Sequence, residues 1–157
     1  MEVQEHGITN MSTVVKCKIT PSDWNLSRWQ KRFKAHLNQD NVRHAIHQVY
    51  LDMSEQYIPY RTGALTESGR VLKDGIHWGF EGTSSDGRTL KSTFKRPRYA
   101  IYPYRGIARN GHRMIFNRTV HPLAQSHWDK AVLRNDERAF KWRVTHELKQ
   151  IARDEGW

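Results

Sequence analysis

The sequence predicts an α+β domain, in which a long N-terminal helical segment and a C-terminal helix pack on a small antiparallel β-sheet with an extended basic loop. Three features point there. "STVVKCKIT" alternates near the start of the chain, two stretches carry apolar residues three and four apart, and the middle is short and broken by glycine, proline and serine. The 157 residues fit one domain, 1–157, with residues 1–20 as an N-terminal strand or arm and 82–98 as an exposed basic loop.

Taken in order, Val15, Cys17 and Ile19 fall on one side of a strand and Lys16 and Lys18 on the other. "TPSDWNLSRW" carries a helix start, with Thr20 or Ser22 as the cap and Pro21 or Asp23 in the first turn. Leu26, Trp29, Phe33 and Leu37 then share a helical face. "NQDN" at 38–41 interrupts them, and Val42, Ile46, Val49, Tyr50, Met53 and Tyr57 resume the stripe, so the reading is two helices or one kinked helix over about 22–57. Ile58 precedes Pro59 and should end it, because proline pushes the residue before it out of helical conformation.

"YIPYRTGALTESG" at 57–69 is then a corner: Thr62 is placed to cap a short turn, Gly63 to take an unusual dihedral, Leu65 to enter the core, and Arg61 and Glu67 to stay outside. Ile76, Trp78 and Phe80 should line one face of short strands, while "EGTSSDGRTLKS" is a loop or hairpin tip. Pro97, Pro103, Gly106 and Gly111 break any long element in the basic stretch that follows. After Pro122 the helical period returns through "LAQSHWDKAVL" and continues with Phe140, Val144, Leu148 and Ile151.

Charge is concentrated in the middle. Residues 61–120 hold twelve Lys/Arg against four Asp/Glu, an excess of eight out of the total +10, while each flank holds seven against six. Within this belt Lys91, Lys95, Arg96, Arg98, Arg105, Arg109, Arg113 and Arg118 are interleaved with Phe94, Tyr99, Tyr102, Tyr104 and Phe116. That mixture suits phosphate contact with base stacking, an interface for acidic proteins, or a solvated loop anchored by its aromatics. The alternative function is accordingly a nucleic-acid-binding module using residues 91–118.

Enzyme chemistry finds little footing. GxSxG, GxGxxG, GxxxxGK[ST] and HExxH are absent, and Ser68 in "TESGR" lacks the first glycine of a nucleophile elbow. Nine histidines include His44 and His47 three apart on a helix, a spacing too loose to define a metal site, and His44 is read as a surface residue. No enzyme activity, cofactor or metal is expected. The single Cys17 is read as a small buried hydrophobe. No run of about 20 apolar residues and no signal-peptide layout occurs, so no membrane partner is expected.

From Pro59 through Thr62, Gly63, Ala64, Leu65 and Ser68, then Tyr99 and Ala100, then Pro122, Trp128 and Ala131, the ordered motifs span about residues 40–135. In that order they resemble the minor capsid and head-tail connector proteins of tailed bacteriophages, the neck and tail-completion group. The resemblance implies a non-enzymatic virion subunit made in the host cytoplasm, forming a ring at the head-tail junction that joins the DNA-filled head to the tail. Its implied partners are further copies of itself, neighbouring neck, portal-adaptor and tail proteins, and phage DNA in the lumen. Pro59, Thr62, Gly63, Leu65, Ser68, Tyr99, Ala100, Pro122 and Trp128 are the implied structural motif. Lys91, Lys95, Arg96, Arg98, Arg105, Arg109 and Arg113 are the expected partner or DNA contacts, with loop 82–98 at the ring edge or lumen.

Overall fold

A computed structural model describes residues 15–19, 37–61, 63–79, 100–108 and 110–156. Within them the fold is α+β, with helices and a three-stranded antiparallel sheet. The strands are β1 (Val15–Cys17), β2 (Arg70–Leu72) and β3 (Gly75–Trp78), in the order β1-β3-β2. Val15 pairs with Trp78, Cys17 with Ile76, and Val71 with Ile76, which puts these side chains on one face. The alternation foreseen for β1 holds: Val15, Cys17 and Ile19 are buried while Lys18 is exposed. Burial of His77 beside Ile76 and Trp78 makes every residue of the central strand buried, a pattern that alternation alone does not predict.

Helix α1 (Gln39–Ser54) begins where "NQDN" interrupts the stripe. Asn38 has φ −58° and ψ 116°, outside helical conformation, and its side chain accepts from the N–H groups of Asp40 and Asn41. The interruption is therefore an N-cap, a role for which asparagine is well suited. A 3₁₀ turn (Glu55–Tyr57) follows, and Ile58 leaves the helix at ψ 129°, as its place before Pro59 requires. The earlier part of the helical segment, about 22–36, and Phe80 lie outside the described residues.

A short helix α2 (Ala64–Glu67) precedes β2, and another, α3 (Ile101–Arg105), lies in the basic stretch. Pro103 falls in the first turn of α3, where its missing N–H leaves no helical bond unmade. Past Pro122 the predicted continuous helix does not form. His127 sits at φ 51°, a 3₁₀ turn (Trp128–Lys130) leads into α4 (Ala131–Asn135), Asp136 breaks the path, and α5 (Glu137–Asp154) completes the chain's helices. Tertiary bonds override the local period here. The Gln125 N–H goes to Tyr57 O at 3.0 Å and the His127 N–H to Tyr104 O at 2.8 Å, so neither is available to a helical turn.

The C-terminal helix α5 packs chiefly on α1, and α1 in turn packs on β2 and β3. Two helices side by side on the sheet would need one apolar stripe on α1. Its buried set is wider: Val42, Ile46, Val49, Tyr50 and Met53 are joined by His47 and Ser54, and Leu51 is half-buried behind them. Tyr50 meets Phe140 of α5 edge-on at 5.3 Å. Under this layer Trp78, Trp128 and Tyr104 form a buried aromatic chain with centroids 6.0 and 5.4 Å apart.

Candidate docking surface

The corner at 57–69 is built into the core. Tyr57, Ile58 and Leu65 are buried, Gly63 takes φ +84° against the Tyr60 ring, and Arg61 and Glu67 are exposed. The Tyr57 hydroxyl donates to the Asp136 carboxylate, with Gln56 adding a bond to the same group at 3.2 Å. Burial first, and then the Asp136 charge and hydrogen bond, push the phenol up to about 12. Ser68 is also buried. Its hydroxyl donates to Leu65 O at 2.6 Å and accepts from the Gly79 N–H at 2.9 Å, tying the end of α2 to the end of β3. A serine engaged twice in this way is a structural tie.

The segment 121–128 is stapled across that corner. His121 Nδ1 donates to Ile58 O at 2.8 Å and its ring meets Tyr60 edge-on at 5.0 Å. Trp128 and Ala100 are fully buried, whereas Pro122 is exposed. Of the motif residues, Gly63, Leu65, Ser68, Ala100 and Trp128 are thus buried, Pro59 is half-buried and Pro122 lies at the surface. Thr62 and Tyr99 lie outside the described residues.

From this base an arm runs over 106–108 and 110–120. Gly106 ends α3 with its N–H on Tyr102 O at 2.8 Å, and a tight loop closes through Ala108 N–H to His112 O at 2.8 Å and an Ile107–Arg113 bridge. Met114 N–H returns to Gly106 O at 2.8 Å, after which 114–118 forms neither helix nor strand. Ile115 is 97% exposed, and Ile107, Val120 and Leu123 are each about half or more exposed. Single exposed apolar residues are ordinary, and here four of them fall within residues 107–123. Arg105, Arg113 and Arg118 line an open groove of about 900 Å³ with Met114 and Phe116. Arg118 also binds back, its Nε donating to Ala124 O at 3.3 Å.

Arg105 and Arg113, two of the expected contacts, are thereby brought to one groove, and both are exposed. Lys91, Lys95, Arg96, Arg98 and Arg109, with the loop 82–98, lie outside the described residues. A second recess of about 440 Å³ sits between the end of α1 and the start of α5, lined by Asp52, Glu55, Asp136, His121 and Arg143 among others. Composition registers the charge of the arm and not its apolar half. "MIF" between Arg113 and Arg118 was the available signal, since it belongs to no helical or strand period. Asp136 was missed for a different reason: its partner Tyr57 is 79 residues away.

Among the described residues no group of three or more His, Cys, Asp and Glu is placed to hold a metal, and no helix is long and apolar enough to cross a membrane. His44 is exposed on α1, and His47 three residues on is buried, accepting from the Ile19 N–H at 3.3 Å. Compared with family models, with curated proteins and with solved structures, the chain matches none.

Proposed function

We propose that this chain is a structural virion protein of a tailed phage, a ring-forming neck subunit of the tail-completion or minor capsid type that joins the DNA-filled head to the tail. The observation that carries the reading is the arm: a segment anchored at its base to the buried corner, presenting Ile115 at 97% exposure together with Ile107 and Val120, and flanked by Arg105, Arg113 and Arg118. Such a surface gains most when another surface covers it, because burying an aliphatic side chain is worth about 1.5–3 kcal/mol. The resemblance carried by Pro59 to Ala131 supplies the setting.

A ring built from identical subunits needs two different patches that fit head to tail. The recess beside Asp52 and Glu55 is opposite in charge to the arm and provides a candidate for the second. In this reading Arg113→Glu weakens self-association of the full chain, and adding Glu55→Lys restores part of it. Sedimentation velocity over a concentration series reads both. Equal association by wild type and Arg113→Glu would remove the arm from the contact.

The rival reading, a nucleic-acid-binding module using 91–118, draws on the convergence of three arginines and Phe116 on one groove. It requires duplex affinity to collapse when Arg105 and Arg113 are reversed, with no loss of assembly.

A further inference from the structure

The outward face of α5 lies well away from the basic belt in sequence. On a helix of 3.6 residues per turn, Arg138, Trp142, His146, Lys149 and Arg153 fall within one narrow arc, opposite the buried Phe140, Val144 and Leu148. All five are exposed. Trp142 is 69% exposed, and its ring stacks on His146 at 5.9 Å with the planes 18° apart. The arc contains no acidic residue. The carboxylates at the two ends of α5 are engaged elsewhere: Asp136 with Tyr57, Glu137 with Lys141, Asp154 with Gln150, and Glu155 with Asn38 and Asn41.

We propose that this face of α5 is a nucleic-acid contact, a line of cations that follows a DNA backbone with Trp142 as a stacking platform at its middle. Arg138 and Arg153 are about 22 Å apart along the helix, which matches about six phosphate steps on one strand. An acidic protein would also attract the arginines. The preference for nucleic acid comes from the flat Trp142–His146 pair, already held in place by its own stacking and set between cations, since bases offer flat faces between regularly spaced negative charges. The inference does not rest on the ring reading: a free module and a ring subunit would use this face alike.

The test measures binding of the full chain to a labelled 20-base-pair duplex, to a 20-nucleotide single strand and to polyglutamate, between 50 and 200 mM salt. Arg138→Glu/Arg153→Glu is expected to weaken duplex binding at least about tenfold and to flatten the slope of log affinity against log salt by about two. Trp142→Ala is expected to weaken single-strand binding about five- to a hundredfold. Arg105→Glu/Arg113→Glu serves as the comparison, and Arg138→Gln/Arg153→Gln reads the same slope if the double reversal does not fold. The proposal is overturned by absence of wild-type binding to either DNA at 50 mM salt. It is also overturned if the helix variants bind within twofold of wild type, or if polyglutamate binds as tightly as the duplex.

Discussion

Replacing Ser68 by alanine tests whether the corner is a structural tie. The Ser68 hydroxyl is buried and makes two bonds, accepting from the Gly79 N–H at 2.9 Å and donating to Leu65 O at 2.6 Å. Alanine leaves the Gly79 N–H buried beside a methyl group, and a buried donor without its acceptor costs about 1–3 kcal/mol. Loss of the bond to Leu65 O adds about 1 kcal/mol. The total is about 3 kcal/mol, which for a domain of this size lowers Tm by about 6–12 °C. Chemical denaturation should give a lower midpoint at unchanged slope, because the surface exposed on unfolding is the same. Ser68→Thr retains the oxygen and should recover part of the loss if the added methyl is accommodated. A Tm for Ser68→Ala within 2 °C of wild type would refute the reasoning.

Five further outcomes follow from the geometry. Gly75 has φ +137°, and an added Cβ would lie 2.4 Å from Cys17 O, so Gly75→Ala should cost about 3 kcal/mol or more and loosen β1 from β3, read as faster amide exchange in Val15–Cys17. Tyr57 should titrate near pH 12 in the ultraviolet difference spectrum and shift stability by about 3 kcal/mol. Because its folded value is raised, that stability is fully present below about pH 10, is lost as pH rises from there to about 12, and is absent from the profile of Tyr57→Phe. Burial lowers the pKa of His47, whose Nε2 accepts from Ile19 N–H while Nδ1 donates to Arg43 O, so its contribution is intact above about pH 6.5 and declines as pH falls below it. Burial raises the Asp129 carboxyl, the opposite sign, so stability declines as pH rises from 3.8 toward the raised folded value and Asp129→Asn removes that decline in a urea series. Ile115→Asp should leave Tm unchanged within about 1 °C, since the side chain is 97% exposed, yet weaken self-association.

Local features were legible where local chemistry decides. The strand at Val15–Cys17, the helix exit at Ile58, the turn of the chain at Gly63 and the buried Leu65 each follow from period, proline or glycine, and each lies where the sequence placed it. Features decided by distant partners were not legible. The segment 122–127 has helical spacing but gives its Gln125 and His127 N–H groups to Tyr57 and Tyr104, and helix α1 has one obvious stripe but buries residues on more than one side. His127 holds a left-handed conformation that sequence disfavours, with its N–H on Tyr104 O and its ring 4.6 Å from the Tyr104 ring. At the candidate surface, the arginines at 105 and 113 were visible as charge, whereas the groove they share depends on the fold of the 106–114 loop. The arc on α5 was in principle readable, being five positions at spacings of four, four, three and four from Arg138 to Arg153, but the apolar half of the period marks only the buried face.

The neck-ring account is tested most directly by electron microscopy of the purified full chain beside Ile115→Asp, imaged across a range of concentrations. The account predicts closed rings of wild-type subunits that are lost in the variant while its circular dichroism is unchanged. Monomeric particles at every concentration for wild type, or rings that form equally well with Ile115→Asp, would contradict it.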